Sequence, residues 1–381
     1  MNRQRLFWGA CAGMFVFGIV LAILGALFGL PEMRGRLGVN LAQQGDIFSM
    51  LFFGVFLSTI IVGPLIDSFG NKLVLMVSAA FVAFALAVLA FAHSFSAALI
   101  AAATLGFGGG GLNTSANALV ADLYPQNRGS MLNVLGIFFG FGALFIPLLA
   151  ASITGMMSIP QLLLIAATLA AVCAVAYLLM AFPPPREAVG FSFLASIKAV
   201  RIPGVLLFGV ILFFQSGNES TIGGWTSTYV VSIGAQPTTA TWILAFYWAA
   251  MMLGRFVSAK LLQYVTKARL ILASGIGSAI GCTVMLASHE IAVIAAGVII
   301  IGLSFAAIYP TTLAIAADRY EHLAGTIFGL LFAMGLIGGM LFPWIVGQLA
   351  QRQHSVRPGM LVPLIGGLAI AIVAAIVGRR R

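Results

Sequence analysis

Apolar runs separated by short polar breaks extend along the whole 381-residue chain. Each run is about as long as the roughly 20 residues a helix needs to cross a bilayer. None alternates strictly between apolar and polar positions, so helices are predicted rather than barrel strands. Segments 6–30, 47–66, 73–92, 96–121, 131–152, 160–182, 204–231, 238–262, 269–288, 291–317, 324–349 and 358–378 read as twelve spans. An even number of crossings puts both ends of the chain on one side of the membrane. The fold class expected is all-α integral membrane.

The pattern has one pronounced internal break, Phe182-Pro183-Pro184-Pro185-Arg186-Glu187. Three prolines cannot continue a helix. The segment 183–203 is therefore expected to link residues 1–182 to residues 204–381. It carries Arg186, Lys198 and Arg201 beside Phe191, Phe193, Leu194 and Ile197, which suits either a short interfacial helix or a solvated linker. The two halves repeat. Gly106, Asp122, Gly129, Gly142 and Pro147 recur as Gly302, Asp318, Gly325, Gly338 and Pro343, always 196 positions later (302 − 106). One offset shared by five punctuating residues implies two pseudo-symmetric six-helix bundles. Duplicated halves with a polar site near the midplane between them are the architecture of many secondary transporters.

Composition agrees with the pattern: 61% of residues are hydrophobic and 7% charged. A soluble domain carries about a quarter charged residues. The net charge of +10 is explained by topology and needs no nucleic-acid partner. Arg3, Arg5, Lys72, Arg128, Arg186, Lys198, Arg201, Arg255, Lys260, Lys267, Arg269, Arg319 and Arg379 to Arg381 fall on the side of the termini; Arg34, Arg36, Arg352 and Arg357 fall on the other. The excess of basic residues on one side predicts that both termini are cytoplasmic, in a multi-pass inner-membrane protein. The N-terminal run is too long for a signal peptide and lacks a convincing cleavage site, so it is read as a retained first helix. Cys11, Cys173 and Cys282 are scattered through apolar runs and read as buried small hydrophobes.

Polar residues inside the spans mark the candidate site. Glu219 stands within the seventh span, in Gln215-Ser216-Gly217-Asn218-Glu219-Ser220-Thr221. An intramembrane carboxylate costs several kcal/mol and is rarely an accident. Three readings are open: Glu219 carries a proton, or holds sodium with Asn218, Gln215 and backbone carbonyls, or stays neutral as an interhelical hydrogen-bond donor. Asn113 and Asn117 are one turn apart on the fourth span, and Gln215, Asn218 and Glu219 are expected on one face of the seventh. Trp225, Tyr247, Trp248 and Tyr309 add aromatic surface, although Trp225 and Tyr229 also suit an interfacial belt. Amides, a carboxylate and aromatic faces suit a neutral polyol; no unpaired Arg or Lys is expected at mid-membrane to meet an anion. Asp46, at the start of the second span, is a weaker cation candidate and a natural helix cap. No Ser/His/Asp set, metal cluster or cofactor loop is visible, which argues against an enzyme and predicts no cofactor. Gly108-Gly109-Gly110-Gly111 lacks the Lys-Ser/Thr of a phosphate loop and is read as a helix-packing surface.

The turn Gly63-Pro64-Leu65-Ile66-Asp67-Ser68-Phe69-Gly70-Asn71-Lys72 resembles the signature loop of the major facilitator superfamily. The resemblance implies that Gly63, Asp67, Gly70 and Lys72 form a cytoplasmic latch, Gly63 by allowing close helix approach. A degenerate second copy is read at Gly254 and Arg255, with Ser258 where the acid would be; Asp122, Arg128 and Asp318 are grouped with the same inner gate. The segments 108–117, 124–133, 140–147 and 219–229 are similar to the fucose–galactose–glucose:proton symporter branch, which includes fucose permease and sodium-dependent glucose transporters. Unlike fucose permease, this chain has no acid in its first span and only Asp122, at one end, in its fourth. The implied function is alternating-access symport of a neutral sugar or similar small polar solute with a proton or sodium, by a monomer embedded in lipid. Gly136, Gly140, Gly142 and Pro147 also resemble the fifth helix of drug:proton antiporters, so efflux of a drug or metabolite is the competing reading.

Overall fold

A computed structural model describes residues 2–153, 156–184, 202–320 and 324–379. The described residues form helices α1 (Arg3–Phe28), α2 (Pro31–Leu37), α3 (Leu41–Phe91), α4 (Phe95–Leu123), α5 (Arg128–Ile153) and α6 (Ile159–Leu179), then α7 (Pro203–Ser232), α8 (Pro237–Leu261), α9 (Lys267–Ala287), α10 (Ile291–Arg319), α11 (Ala324–Arg352) and α12 (Leu361–Arg379). Eleven of them are long and apolar enough to cross a membrane. One of the eleven, α3, has 51 residues. At 1.5 Å per residue it covers about 75 Å, enough for two crossings of a roughly 30 Å core. The twelve crossings read from the sequence are thus accommodated, the second and third being merged by helical backbone that bends sharply at Gly70.

Gly70 has φ 79° and ψ 163°, a conformation reserved for glycine. The turn is braced from its next residue, because Ser115 Oγ of α4 donates to Asn71 Oδ1 at 2.9 Å. Gly70→Ala should therefore destabilise the protein by about 1–3 kcal/mol, read as a lowered unfolding midpoint in detergent. The start of α3 corrects the role expected for Asp46. Asn40 caps the helix and Gln43 closes the capping box, so Asp46 lies in the second turn and is no cap.

The chain divides into two compact units, Met1–Gly190 and Phe191–Arg381. Residues 185–201 of the expected 183–203 linker lie outside the described residues. Inside each unit, glycines of the repeat bring backbones together. A Cβ on Gly106 of α4 would overlap the Leu51 carbonyl of α3, and one on Gly302 of α10 would stand 2.6 Å from the Tyr247 carbonyl oxygen of α8. Gly142 of α5 sits against the Phe15 carbonyl of α1; Gly338 of α11 sits against the Phe213 carbonyl of α7. The 196-residue offset is thus a repeat of packing as well as of sequence. Small residues permit such approach where lipid supplies no hydrophobic drive between helices.

The tetraglycine extends this logic. Successive residues on a helix point about 100° apart, so four bare positions clear every side. Gly108 and Gly111 face Ser78 or Val82 on the second arm of α3, Gly110 faces Val55 and Ser58 on its first arm, and Gly109 faces Phe17 and Val20 of α1. Gly63 does not behave this way: a Cβ there meets nothing within 4 Å, so no close approach within its unit calls for glycine.

Candidate functional site

In the unit from residue 191 onward, α7 carries most of the polar candidates. Gln215 and Glu219 are one turn apart on one face. Gln215 is fully buried, and its Nε2 lies 3.4 Å from the Phe305 carbonyl oxygen of α10, to which it donates. The same amide hydrogen-bonds the Glu219 carboxylate, and the charge of Arg255 on α8 acts on that carboxylate too. Tyr247 on α8 and Tyr309 on α10 both lie within the electrostatic reach of Glu219. The Tyr247 hydroxyl and Gln215 Oε1 are buried without a hydrogen-bond partner. Such groups cost about 1–3 kcal/mol each when left unsatisfied. They are therefore available to a polar ligand. Phe305 and Trp248 pack edge-on against Tyr247, with ring centroids 6.5 and 5.0 Å away. The result is a carboxylate, an amide, two phenols, an indole and a guanidinium contributed by three helices.

Asn218 does not join them. One residue before Glu219 it is rotated by about 100°. It packs on Gly366 of α12, where a Cβ would overlap its amide, and neither amide atom has a partner. The single face expected for Gln215, Asn218 and Glu219 is thus split in two. For Trp225 and Tyr229 the interfacial-belt alternative is removed. Both are wholly buried, not at a lipid interface, and Tyr229 donates to the Met285 carbonyl oxygen at 3.4 Å.

In the unit ending at residue 190, Asn113 and Asn117 come together as expected. Asn117 Nδ2 donates to Asn113 Oδ1 at 2.9 Å and to the Asn113 carbonyl at 2.8 Å, with Met14 Sδ 3.8 Å away on α1. Both asparagines are half-buried. Their pairing still leaves acceptor capacity on Asn117 and donor capacity on Asn113.

The residues grouped as an inner gate belong to both units. Asp67 and Lys72 flank the Gly70 bend and are half-buried; Asp122 and Arg128 are exposed at the α4–α5 connection. Asp318, at the end of α10, pairs with Lys267 at the start of α9. Both partners are substantially exposed, so this ion pair contributes at most about 1 kcal/mol. Arg255 differs from the second turn copy in which it was read. It lies inside α8, six residues before that helix ends at Leu261. Carrying the 196-residue offset through the turn matches Gly63, Asp67 and Gly70 with Ala259, Gln263 and Thr266. The acid and the turn glycine are both absent there.

Several contributors carried no readable signal. Ser115 and Asn71 are 44 positions apart in sequence, and nothing in either motif announces their contact. Fully buried Thr221 and Thr226 on α7 looked like ordinary span residues, yet their hydroxyls have no partner. On the opposite side of the chain's first unit, Arg36 of α2 donates to the Ala90 carbonyl, and burial draws the neighbouring Arg34 guanidinium below its ordinary pKa. Among the described residues no group of three His, Cys, Asp or Glu gathers to hold a metal. A sodium ion near Glu219 would have to rely on that carboxylate with amide and carbonyl oxygens.

Two duplicated, almost purely helical membrane units with buried polar clusters define a polytopic transporter architecture. Residues 10–343 and 208–381 match the Major Facilitator Superfamily, and the chain belongs to it. It is 25% identical to a TsgA homolog of Erwinia tasmaniensis over 350 residues, covering 90% of this chain and 85% of that one. It is also 24% identical over 166 residues to a Helicobacter pylori protein whose name assigns it provisionally to glucose/galactose transport; the match covers 42% of this chain and 40% of that one. Among solved structures, a D-xylose–proton symporter superposes with TM-score 0.83 at 12% identity, covering 99% of this chain and 97% of that one. The Escherichia coli fucose:proton symporter gives 0.67 at 20% identity, with 99% of both chains covered. These structural likenesses establish the fold.

Proposed function

We propose that the protein is a cation-coupled symporter that moves a neutral sugar, or a small polar solute of similar chemistry, by alternating access. The observation that carries this reading is the cluster around Glu219. A carboxylate, a buried amide with a spare acceptor and an unpartnered phenol can hydrogen-bond hydroxyl groups, while Trp248 and Tyr247 offer apolar ring surface. In the other unit, Asn113 and Asn117 add amide groups of the same kind. The similarity to a named glucose/galactose transporter and to the fold of two sugar:proton symporters supports the substrate class. Glu219 is the coupling residue: it binds a proton or sodium when the site is open to one side and gives it up on the other. The distribution of Lys and Arg supports a reading with both termini in the cytoplasm, in an inner membrane, and we take the monomer as the transporting unit.

The test is a thermal-stability screen of the purified protein with monosaccharides, nucleosides and amphiphilic drugs, in sodium or potassium buffer at several pH values. A ligand at 100 times its Kd stabilises the folded state by about 2.7 kcal/mol. A monosaccharide should raise the midpoint, and should do so only with sodium or only at low pH. Stabilisation by amphiphilic drugs alone would replace symport of a sugar by drug efflux.

A further inference from the structure

Arg255 is a cation six residues inside the end of a membrane-spanning helix, and the turn motif in which it was read does not account for its position. Its register against α7 does. Helices α7 and α8 follow one another through a short turn at 233–236 and run antiparallel as neighbours. They meet closely where a Cβ on Gly223 would lie 3.2 Å from the Trp248 ring. From that contact Glu219 is one turn back along α7, about 6 Å. Arg255 is seven residues on along α8, about 10.5 Å in the same direction and again on the face of Trp248. The two backbones are therefore offset by about 4.5 Å along the seam. Helical side chains slope toward the N-terminus of their own helix. For Arg255 that slope runs back toward Trp248, and so toward Glu219. The charges of the two residues act on one another, and both act on the Tyr247 hydroxyl.

Among the described residues few other titratable groups come from the helices packed on α7, and Asp318 and Arg319 of α10 stand at the end of that helix. Tyr247 comes from α8 and Tyr309 from α10; α11 and α12, which also pack on α7, carry only Arg352 and Arg379, each at the far end of its helix. Arg255 is the cationic side chain placed to balance the carboxylate.

We propose that Arg255 is the counter-ion that holds the Glu219 carboxylate ionised and turned toward Gln215 while the coupling site is empty. The coupling cation then competes with the guanidinium: a proton adds to a carboxylate oxygen, or sodium takes the place of the guanidinium, and Arg255 is released without any bond to it being made or broken. Arg255 is a positioning residue, acting through Glu219. The proposal rests on the coupling role given to Glu219 above.

A double-mutant cycle on the purified full-length protein tests the pairing. Glu219→Gln and Arg255→Gln each remove one member of the pair from a half-buried setting, and each should lower the unfolding midpoint by several degrees. Glu219→Gln/Arg255→Gln removes both charges and should melt above either single variant. Additive losses overturn the pair, whatever Glu219 does in transport. The functional arm uses proteoliposomes. Arg255→Gln should lose gradient-driven accumulation but keep counterflow exchange of the sugar found in the stability screen, and Arg255→Lys should restore accumulation. Normal accumulation by Arg255→Gln overturns the positioning role even if the cycle is non-additive. Normal accumulation by Glu219→Gln beside a non-additive cycle removes the coupling reading instead, and with it this role for Arg255.

Discussion

Glu219→Gln should abolish accumulation of solute against a gradient and leave counterflow exchange intact. One charge crossing a membrane held at 100 mV gains about 2.3 kcal/mol. Spent on a neutral solute, that sustains roughly 50-fold accumulation, since each 1.4 kcal/mol is a factor of ten. Glutamine keeps the size and the hydrogen-bonding capacity toward Gln215 but can neither take up a proton nor neutralise sodium. The variant's accumulation ratio should thus fall to one. Counterflow needs the solute site to alternate while loaded, and no net ion movement, so it should survive. The measurement is radiolabelled uptake and counterflow in the same proteoliposomes. A variant that still concentrates solute would sink the assignment of coupling to this carboxylate.

Gly338→Leu should be the most damaging single change away from the polar cluster. Even the first carbon of a side chain at this position would overlap the Phe213 carbonyl oxygen of α7. The obstacle is backbone, which cannot swing aside as a side chain can. Helices α7 and α11 would have to separate, and Phe342, whose ring lies 5.5 Å from Phe213 and 5.8 Å from Phe214, would lose its packing. Overpacking of this kind costs about 1–3 kcal/mol and sometimes more. We expect a loss at or above the upper end, seen as a fall in the detergent unfolding midpoint and in the yield of monodisperse protein. Gly63→Leu is the control: open space surrounds that position, and the midpoint should stay near that of the parent. Equal losses at both positions would mean that glycine content, not the α7–α11 approach, sets stability.

Much of the fold was legible because the bilayer simplifies the code. Spans announce themselves by length, and the observed helix bounds depart from the expected ones by a few residues, except where α3 runs on through Gly70. The repeat was legible because glycines that bring backbones together tolerate no substitute, so Gly142 and Gly338 hold the same offset as Gly106 and Gly302. The polar cluster was legible in part. Gln215, Glu219, Tyr247 and Tyr309 stand out as polar groups in apolar runs, and one helix period pairs the first two. What the period could not supply was the facing partner. Asn218 looked equivalent to Glu219 until Gly366 showed which neighbour it faces. Trp225 and Tyr229 suited an interfacial belt as well as the site, and their complete burial leaves the belt reading aside. Arg255 was absorbed into a turn motif because Gly254 precedes it, and only the approach of Gly223 to Trp248 locates it along the seam. Asn71 and Ser115 gave no warning at all, since a contact between two small polar residues on different helices has no period.

The bend at Gly70 also acts on the asparagine pair. The two arms of α3 diverge from that glycine, and α4 is gripped between them, Gly110 against Val55 and Ser58 on one arm and Gly108 and Gly111 against Ser78 on the other. Because α4 offers only bare glycine positions there, the arms bear on it almost as a pair of tongs on a rod. A change of angle at the fulcrum is taken up by translation or tilt of α4, and Asn113 lies between the Gly111 contact and the Ser115–Asn71 hydrogen bond. A few degrees at the turn thus become a displacement of the half-buried amides.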